Sequence, residues 1–217
     1  MSADESGRVD RTRVRRLPEK QVTGRSGLDA ILDAGRVAHV AVVDDGQPFV
    51  LPVAYARDAD RVIVHGSTGS RLFRSLAAGA PTCLTVTLLD GLVLARSAFE
   101  SSMHYRSAMV LGRCEPIPDD DLLRSLRVLT EHLLPSRWDE LRAPTSKEIA
   151  ATLLLSLPLL EWSVKVSDGW PDDPPEDLGE PVWAGVVPMS SSFGKPLAAP
   201  DLTHDSAPPA YIDGWRA

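Results

Sequence analysis

Long apolar runs and clustered cysteines are both lacking in this chain of 217 residues. No apolar run approaches the roughly 18 residues of a membrane span. The charged N-terminus has no hydrophobic segment behind it, so no secretory signal is predicted. The two cysteines, Cys83 and Cys114, lie in apolar strand-like segments and predict buried thiols. We therefore expect a cytoplasmic protein with no metal site, no disulfide framework and no membrane contact.

A net positive charge is lacking too, because 30 acidic residues outnumber 23 basic ones and give a formal charge of −7. Such a body repels a phosphate backbone, so nucleic acid is not an expected partner. Residues 1–25 form a basic N-terminal arm, which we interpret as lying on an acidic partner subunit. Residues 26–190 are rich enough in hydrophobic positions for one domain, and residues 191–217 form an irregular tail rich in Pro and Ser.

Short strand-like segments with few helices between them dominate the domain. "VAHVAVV", the turn "DDGQ" and "PFVLPVAYA" predict a hairpin, and Asp90–Gly91 predicts a second tight turn. This pattern favours an antiparallel barrel, Greek-key-like and mainly β, with peripheral α-helices, over a doubly wound parallel sheet.

The segment "HGSTGSRLFRSL", residues 65–76, joins a strand to a helix with Ser70 at the N-cap. Its glycines let the backbone approach a ligand, its hydroxyl groups are donors, and Arg71 adds a positive charge near the helix start. Together these groups suit a phosphate monoester. The alternative is a flexible surface turn, because loops rich in Ser and Gly are common.

Two further segments carry polar signals. In "LPVAYA", Pro52 removes one ladder hydrogen bond, which leaves backbone groups free for a flat, polar-edged ring, although an edge strand explains it equally well. In "HYRS", residues 104–107, strand alternation puts His104 and Arg106 on one side and Tyr105 and Ser107 on the other. The alternative there is simply a polar strand end.

These segments at their spacing resemble the pyridoxamine 5′-phosphate oxidase-like flavin-binding proteins, and most of all the flavin-nucleotide-binding or nitroimidazole-resistance-like branch. The resemblance covers about residues 13–190. It implies a split β-barrel that forms a homodimer, with FMN in clefts between the subunits. FAD, a deazaflavin and haem are the alternatives, because a phosphate grip serves any flavin and related split barrels bind haem.

The resemblance also implies roles for individual residues. The backbone of Leu51, Pro52, Val53, Ala54 and Tyr55 would line the isoalloxazine, and His65, Gly66, Ser67, Ser70 and Arg71 would hold the ribityl chain and phosphate. Tyr105, Arg106 and Ser107 would reach the flavin, from the same or the other subunit. The further basic residues of true pyridoxamine phosphate oxidases are replaced by Tyr55 and Leu72, and their C-terminal substrate segment is not visible, so the vitamin B6 substrate does not carry over.

The predicted function is a flavin-dependent oxidoreductase that acts on a small molecule. The alternative is a flavin or haem carrier or sensor without turnover. His104 is the candidate acid or base, against a purely structural, hydrogen-bonded histidine. Residues 168–181 contain six acidic residues and no basic residue, which raises the further possibility of a protein-binding loop. Trp170 and Trp183 would otherwise cover the flavin edge or the dimer seam.

Overall fold

The computed structural model describes residues 11–203 and 207–215. Residues 1–10 of the basic arm, and residues 204–206 and 216–217 of the tail, lie outside this part of the chain. The described strands are β1 (Gln21–Val22), β2 (Val37–Asp44), β3 (Gln47–Asp58), β4 (Arg61–Ser67), β5 (Pro81–Leu94), β6 (Ser102–Arg113), β7 (Glu115–Pro116), β8 (Thr152–Pro158), β9 (Glu161–Ser167) and β10 (Gly185–Pro188). The helices are α1 (Arg25–Ala34), α2 (Arg71–Ala77), α3 (Leu122–Leu133), α4 (Ser146–Ala150) and α5 (Tyr211–Gly214).

All strand pairs are antiparallel, in the order β1-β9-β6-β5-β2-β3-β4-β8-β7, with β10 added to β5. The helices lie around this sheet. The prediction of a mainly β, antiparallel architecture with peripheral helices is therefore confirmed. Among the described residues, no helix has the length and apolar character needed to cross a membrane.

The core is formed by one side of the central strands together with α1 and α2. In β2 the alternate residues Ala38, Val40 and Val42 are buried in the main cluster, as the pattern of "VAHVAVV" predicts. A smaller cluster between β4, β8 and α3 includes Ile63 and Leu129.

The opposite side of the central strands is here called the outer face. Its members follow from strand alternation and from the register that pairs β2 with β3 and β5 and pairs β5 with β6. They include Val37, His39, Ala41, Val43, Pro48, Val50, Pro52, Ala54, Cys83, Thr85, Thr87, Leu89, Tyr105, Ser107, Met109 and Leu111.

The predicted turn at Asp90–Gly91 is wrong, because β5 runs on to Leu94. A register shift between Leu89 and Gly91 marks a bulge in its pairing with β6. β10 lies along this end of β5, and a Cβ on Gly91 would stand 3.0 Å from the Val187 carbonyl oxygen. The glycine is needed for the close approach of a third strand rather than for a turn.

Both ends of the described chain lie against the domain. Arg11 forms an ion pair with Glu161 of β9, and the ammonium group of Lys20 donates to the Ser167 hydroxyl at 3.1 Å. In the tail, the Trp215 indole donates to the Pro135 carbonyl at 3.2 Å, just beyond α3. The arm thus contacts its own subunit over the described residues, and its contact with a partner subunit stays a prediction.

Candidate functional site

Two of the predicted binding segments meet where β3 and β4 separate. β3 pairs with β4 only over residues 55–58, whereas residues 47–54 pair with β2. β4 continues beyond that point along β8. Within the described structure, residues 51–54 and 65–67 therefore each have one backbone edge without a ladder partner. We call the gap between these two edges the split.

The side chains of the β3 segment point in different directions. Leu51 and Pro52 are exposed, whereas Val53 packs against the main core. Tyr55 is fully buried, and its hydroxyl donates to the Leu32 carbonyl at 2.8 Å. Burial raises the pKa of the Tyr55 phenol. The side chain of Tyr55 is thus part of the core, and only its backbone reaches the end of the split.

Hydroxyl groups order the loop that follows β4. Ser67 Oγ accepts a hydrogen bond from the Gly69 N–H at 3.1 Å, and Ser70 Oγ caps α2 by accepting from the Phe73 N–H at 3.5 Å. Each hydroxyl retains its own hydrogen as a donor. A Cβ on Gly66 would lie 2.2–2.7 Å from atoms of the Phe73 ring. Packing therefore requires a glycine at position 66, independently of any ligand.

Arg71 stands at the first position of α2, beside a cleft of about 150 Å³. Its guanidinium lies over the Phe49 ring, 3.9 Å from the centroid, and its Nε is 3.5 Å from the Asp44 carboxylate. Leu51 and Ser70 also line this cleft. The structure thus brings the β3 segment and the loop together beside a side chain that is 60% exposed and positively charged.

Phe49 and Asp44 belong to this cleft and were not predicted as site residues. For Phe49 a signal exists, because it precedes Leu51 by two positions and alternate strand residues share a face. For Asp44 no local signal exists, because its contact with Arg71 depends on how α2 packs beside the hairpin.

His65 presents an unpaired polar atom. Its Nδ1 is buried, and no hydrogen-bond partner occurs for it among the described residues. Burial lowers the pKa of this imidazole and favours its neutral form. Because buried polar atoms nearly always have a partner, this nitrogen is suited to a ligand or a bound water.

The third predicted segment lies elsewhere in the subunit. Tyr105, Arg106 and Ser107 belong to β6, which is separated from β3 by β5 and β2. Three strand spacings correspond to roughly 14 Å. One subunit alone therefore does not bring this segment to the split.

Two side chains of the "HYRS" segment contact other parts of the chain: Arg106 contacts the β5 bulge, and His104 contacts loop 168–181. Arg106 donates two hydrogen bonds to Asp90, at 2.8 and 2.7 Å, and thereby lowers the pKa of that carboxyl group. His104 Nε2 lies 2.8 Å from the Gly169 carbonyl oxygen. His104 thus contacts the start of the acidic loop, as expected for a structural, hydrogen-bonded histidine. This contact does not involve its Nδ1 atom.

A buried ion pair holds the middle of the same loop. The carboxylate of Asp173, 1% exposed, accepts from the Arg96 backbone N–H at 2.7 Å and from its guanidinium at 2.8 Å. Trp170 and Trp183 are 79% and 64% exposed. Their predicted cover over a flavin or a dimer seam stays a prediction.

Comparison with known proteins finds one matching protein family and several similar solved structures. A family model described as pyridoxamine 5′-phosphate oxidase matches residues 24–166, which include all three predicted segments. The FAD and haem binding protein from Mycobacterium smegmatis is 48% identical, with a TM-score of 0.88 over 91% of this chain and 97% of that chain. The flavocytochrome Anf3 from Azotobacter vinelandii is 42% identical, with a TM-score of 0.89 over 95% and 97%.

A more distant structure shows the fold alone. A putative 5-nitroimidazole antibiotic resistance protein from Bacteroides thetaiotaomicron is 20% identical, with a TM-score of 0.56 over 67% of this chain and 86% of that chain. No curated protein matches the chain. The predicted split-barrel fold is confirmed by these structures.

Proposed function

The chain belongs to the pyridoxamine 5′-phosphate oxidase family, as its motifs predict, and on this premise we propose that it is a flavin-binding redox protein. The observation that carries the proposal is the near full-length similarity, at 48% identity, to a FAD and haem binding protein. That similarity favours FAD over FMN and a deazaflavin.

The loop after β4 suits the phosphate end of a flavin. The hydroxyls of Ser67 and Ser70 keep a hydrogen to donate, and the exposed guanidinium of Arg71 supplies a fixed charge for a charge-assisted hydrogen bond. The neighbouring cleft of about 150 Å³ is smaller than the roughly 300–1,000 Å³ of a site for a drug-sized ligand. It would therefore hold only one end of the cofactor, and the ring would lie outside it.

The split suits the ring. The unpaired backbone edges of residues 51–54 and 65–67 offer donors and acceptors to a flat heterocycle with a polar rim. The unpartnered Nδ1 of His65 adds a side-chain group. We assign the cofactor contacts of this edge to Leu51, Pro52, Val53 and Ala54 through their backbone.

A second copy of the chain completes the proposed site. Val37, Val43 and Val50 of the outer face are 51%, 63% and 58% exposed, and an apolar surface of this kind is typical of an interface. In a homodimer built on this face, the side chains of Tyr105 and Ser107 of one copy approach the split of the other, whereas Arg106 points to the opposite side of β6 and would take part only through its backbone. This arrangement accounts for their distance from the split within one subunit.

The proposed activity is oxidation or reduction of a small molecule. A bound flavin supplies one- and two-electron transfer. The chain positions the ring and holds the phosphate, and His104 is the candidate to hold or deliver a proton at Nδ1, since its Nε2 faces the Gly169 carbonyl. Flavin and haem carriage without turnover is the second candidate, favoured by two relatives that are a FAD and haem binding protein and a flavocytochrome.

The visible absorption spectrum of the purified chain, with the mass of any released chromophore, tests the proposal. We expect a flavin spectrum, and FAD binding weakened roughly ten- to a hundredfold by Arg71→Ala, because a hydrogen bond to a charged group is removed. Arg74→Ala is the matched control, since Arg74 is exposed on the same helix and carries the same charge. Flavin binding would be refuted by a colourless protein that takes up none of the three added ligands FAD, FMN and a deazaflavin.

A further inference from the structure

The guanidinium of Arg71 is held differently from that of a paired arginine elsewhere in the structure. Arg57 donates two hydrogen bonds to the Asp33 carboxylate, at 2.7 and 2.6 Å. Arg71 Nε instead stays 3.5 Å from the Asp44 carboxylate, and within the described residues the Arg71 side chain makes no hydrogen bond. Its five N–H donors are therefore available to a ligand.

An aromatic ring supports this guanidinium. Arg71 Cζ lies 3.9 Å from the centroid of the Phe49 ring, well within the roughly 6 Å of a cation–π contact. Phe49 is half-buried and packs against the main core, so the position of its ring is fixed. A ring attracts a cation through its face and offers no oxygen acceptor, so the contact leaves the N–H groups available to a phosphate.

The fold of α2 alone does not fix the Arg71 side chain. Leu72 and Phe73 are only 4% and 5% exposed and hold the start of the helix. Arg71 itself is 60% exposed and has several rotatable bonds. Ordering such a side chain on binding lowers the affinity for a ligand about two- to tenfold. A contact that orders the side chain beforehand removes this loss.

We infer that Phe49 is the positioning residue of the phosphate site, because its ring holds the Arg71 guanidinium at the cleft and away from a hydrogen-bonded pair with Asp44. The inference rests on the proposed function, since it requires that this cleft holds the phosphate end of a flavin. Among the described residues that line the cleft, Arg71 and Asp44 are the charged ones. The ring therefore favours a bound phosphate, whereas the carboxylate repels it.

The affinities of the purified full-length chain for riboflavin, FMN and FAD, measured by flavin fluorescence, test the inference. Riboflavin has the same ring but no phosphate, so the ratio of its dissociation constant to that of either phosphate-bearing flavin isolates the phosphate contact. In Phe49→Leu, which keeps an apolar side chain, we expect this ratio to fall about two- to tenfold while the riboflavin affinity is unchanged. Phe49→Tyr retains an aromatic ring and should keep the wild-type ratio.

Asp44→Asn should have the opposite effect. Loss of the negative charge should tighten the binding of FMN and FAD about two- to fivefold, leave riboflavin unchanged, and matter less at high salt. Asp45→Asn is the matched control, because it removes the same charge at an exposed turn position. The φ of 49° at this position is one that Asn adopts readily, and the ratio should stay at its wild-type value.

Each contrary result has a distinct meaning. An unchanged ratio in Phe49→Leu overturns the inference. Weaker FMN and FAD binding in Asp44→Asn also overturns it, because the carboxylate would then be the group that positions Arg71. If Arg71→Ala leaves the ratio unchanged, the phosphate is bound elsewhere, and the inference fails while flavin binding stands. A wild-type chain that binds none of the three flavins refutes the proposed function as well.

Discussion

The contact between Gly66 and Phe73 allows a mutational effect to be worked out from the structure. A Cβ at position 66 would lie 2.2, 2.3 and 2.7 Å from three atoms of the Phe73 ring. The ring is held in place, because Phe73 is only 5% exposed and its neighbours Leu72 and Leu76 are buried as well. Overpacking of such a site typically costs about 1–3 kcal/mol. At about 2–4 °C per kcal/mol for a chain of this size, Gly66→Ala should lower Tm by about 2–12 °C.

Gly69→Ala is the matched control for this variant. The nearest atom to a Cβ at position 69 is Ser67 Oγ at 3.5 Å, an ordinary contact, so we expect a change within about 0.5 kcal/mol. Thermal unfolding of the cofactor-free chain measures both variants, and a flavin titration of Gly69→Ala then tests whether this glycine serves the ligand. Equal Tm values for Gly66→Ala and the wild type would refute the packing argument.

Two other perturbations follow from ion pairs. Asp173→Ala leaves the half-buried guanidinium of Arg96 without its carboxylate, so loop 168–181 should be destabilised by about 3 kcal/mol. The loop should then be cleaved faster in limited proteolysis. An unchanged cleavage rate would contradict the anchoring role of this ion pair. The pKa of Asp58 is lowered to about 2 by hydrogen bonds from two arginines. Because this folded-state pKa lies below the unfolded value of about 3.9, the stabilisation is complete above pH 4 and lost as the pH falls to about 2. Urea denaturation between pH 2 and 7 should therefore show a shallower acid loss for Asp58→Asn, and identical curves would exclude this pair as a cause.

The elements that sequence analysis predicts well are those specified locally. The alternation in β2 places Ala38, Val40 and Val42 in the core, and the N-cap at Ser70 is confirmed by its hydrogen bond to the Phe73 N–H. Both features depend on residues only a few positions apart. The end of β5 could not be predicted in this way, because Gly91 is explained by β10, about a hundred residues later in the chain.

The features of the candidate site also fall into two groups, those that a short segment of sequence specifies and those that depend on distant parts of the chain. The segments around Pro52 and His65 are recognisable by composition, but the split between them exists only because β3 changes partner from β2 to β4. A change of partner leaves no local pattern. The ion pair of Arg106 with Asp90 also could not be predicted from a local pattern, because the bulge that positions Asp90 lies where a third strand, β10, pairs with β5.

The position of the "HYRS" segment links the proposed flavin site to the oligomeric state. Tyr105 and Ser107 lie on the same outer face as Pro52, yet roughly 14 Å from β3 across the sheet. A flavin held at the split by one subunit can contact this segment only if a second sheet folds over it, and the exposed valines supply the apolar surface for that contact. In the proposed homodimer, dimerisation and flavin binding would therefore depend on the same surface. A charge at Val50, which belongs to that surface, should weaken both together, whereas Arg71→Ala, at the proposed phosphate contact, should weaken flavin binding alone.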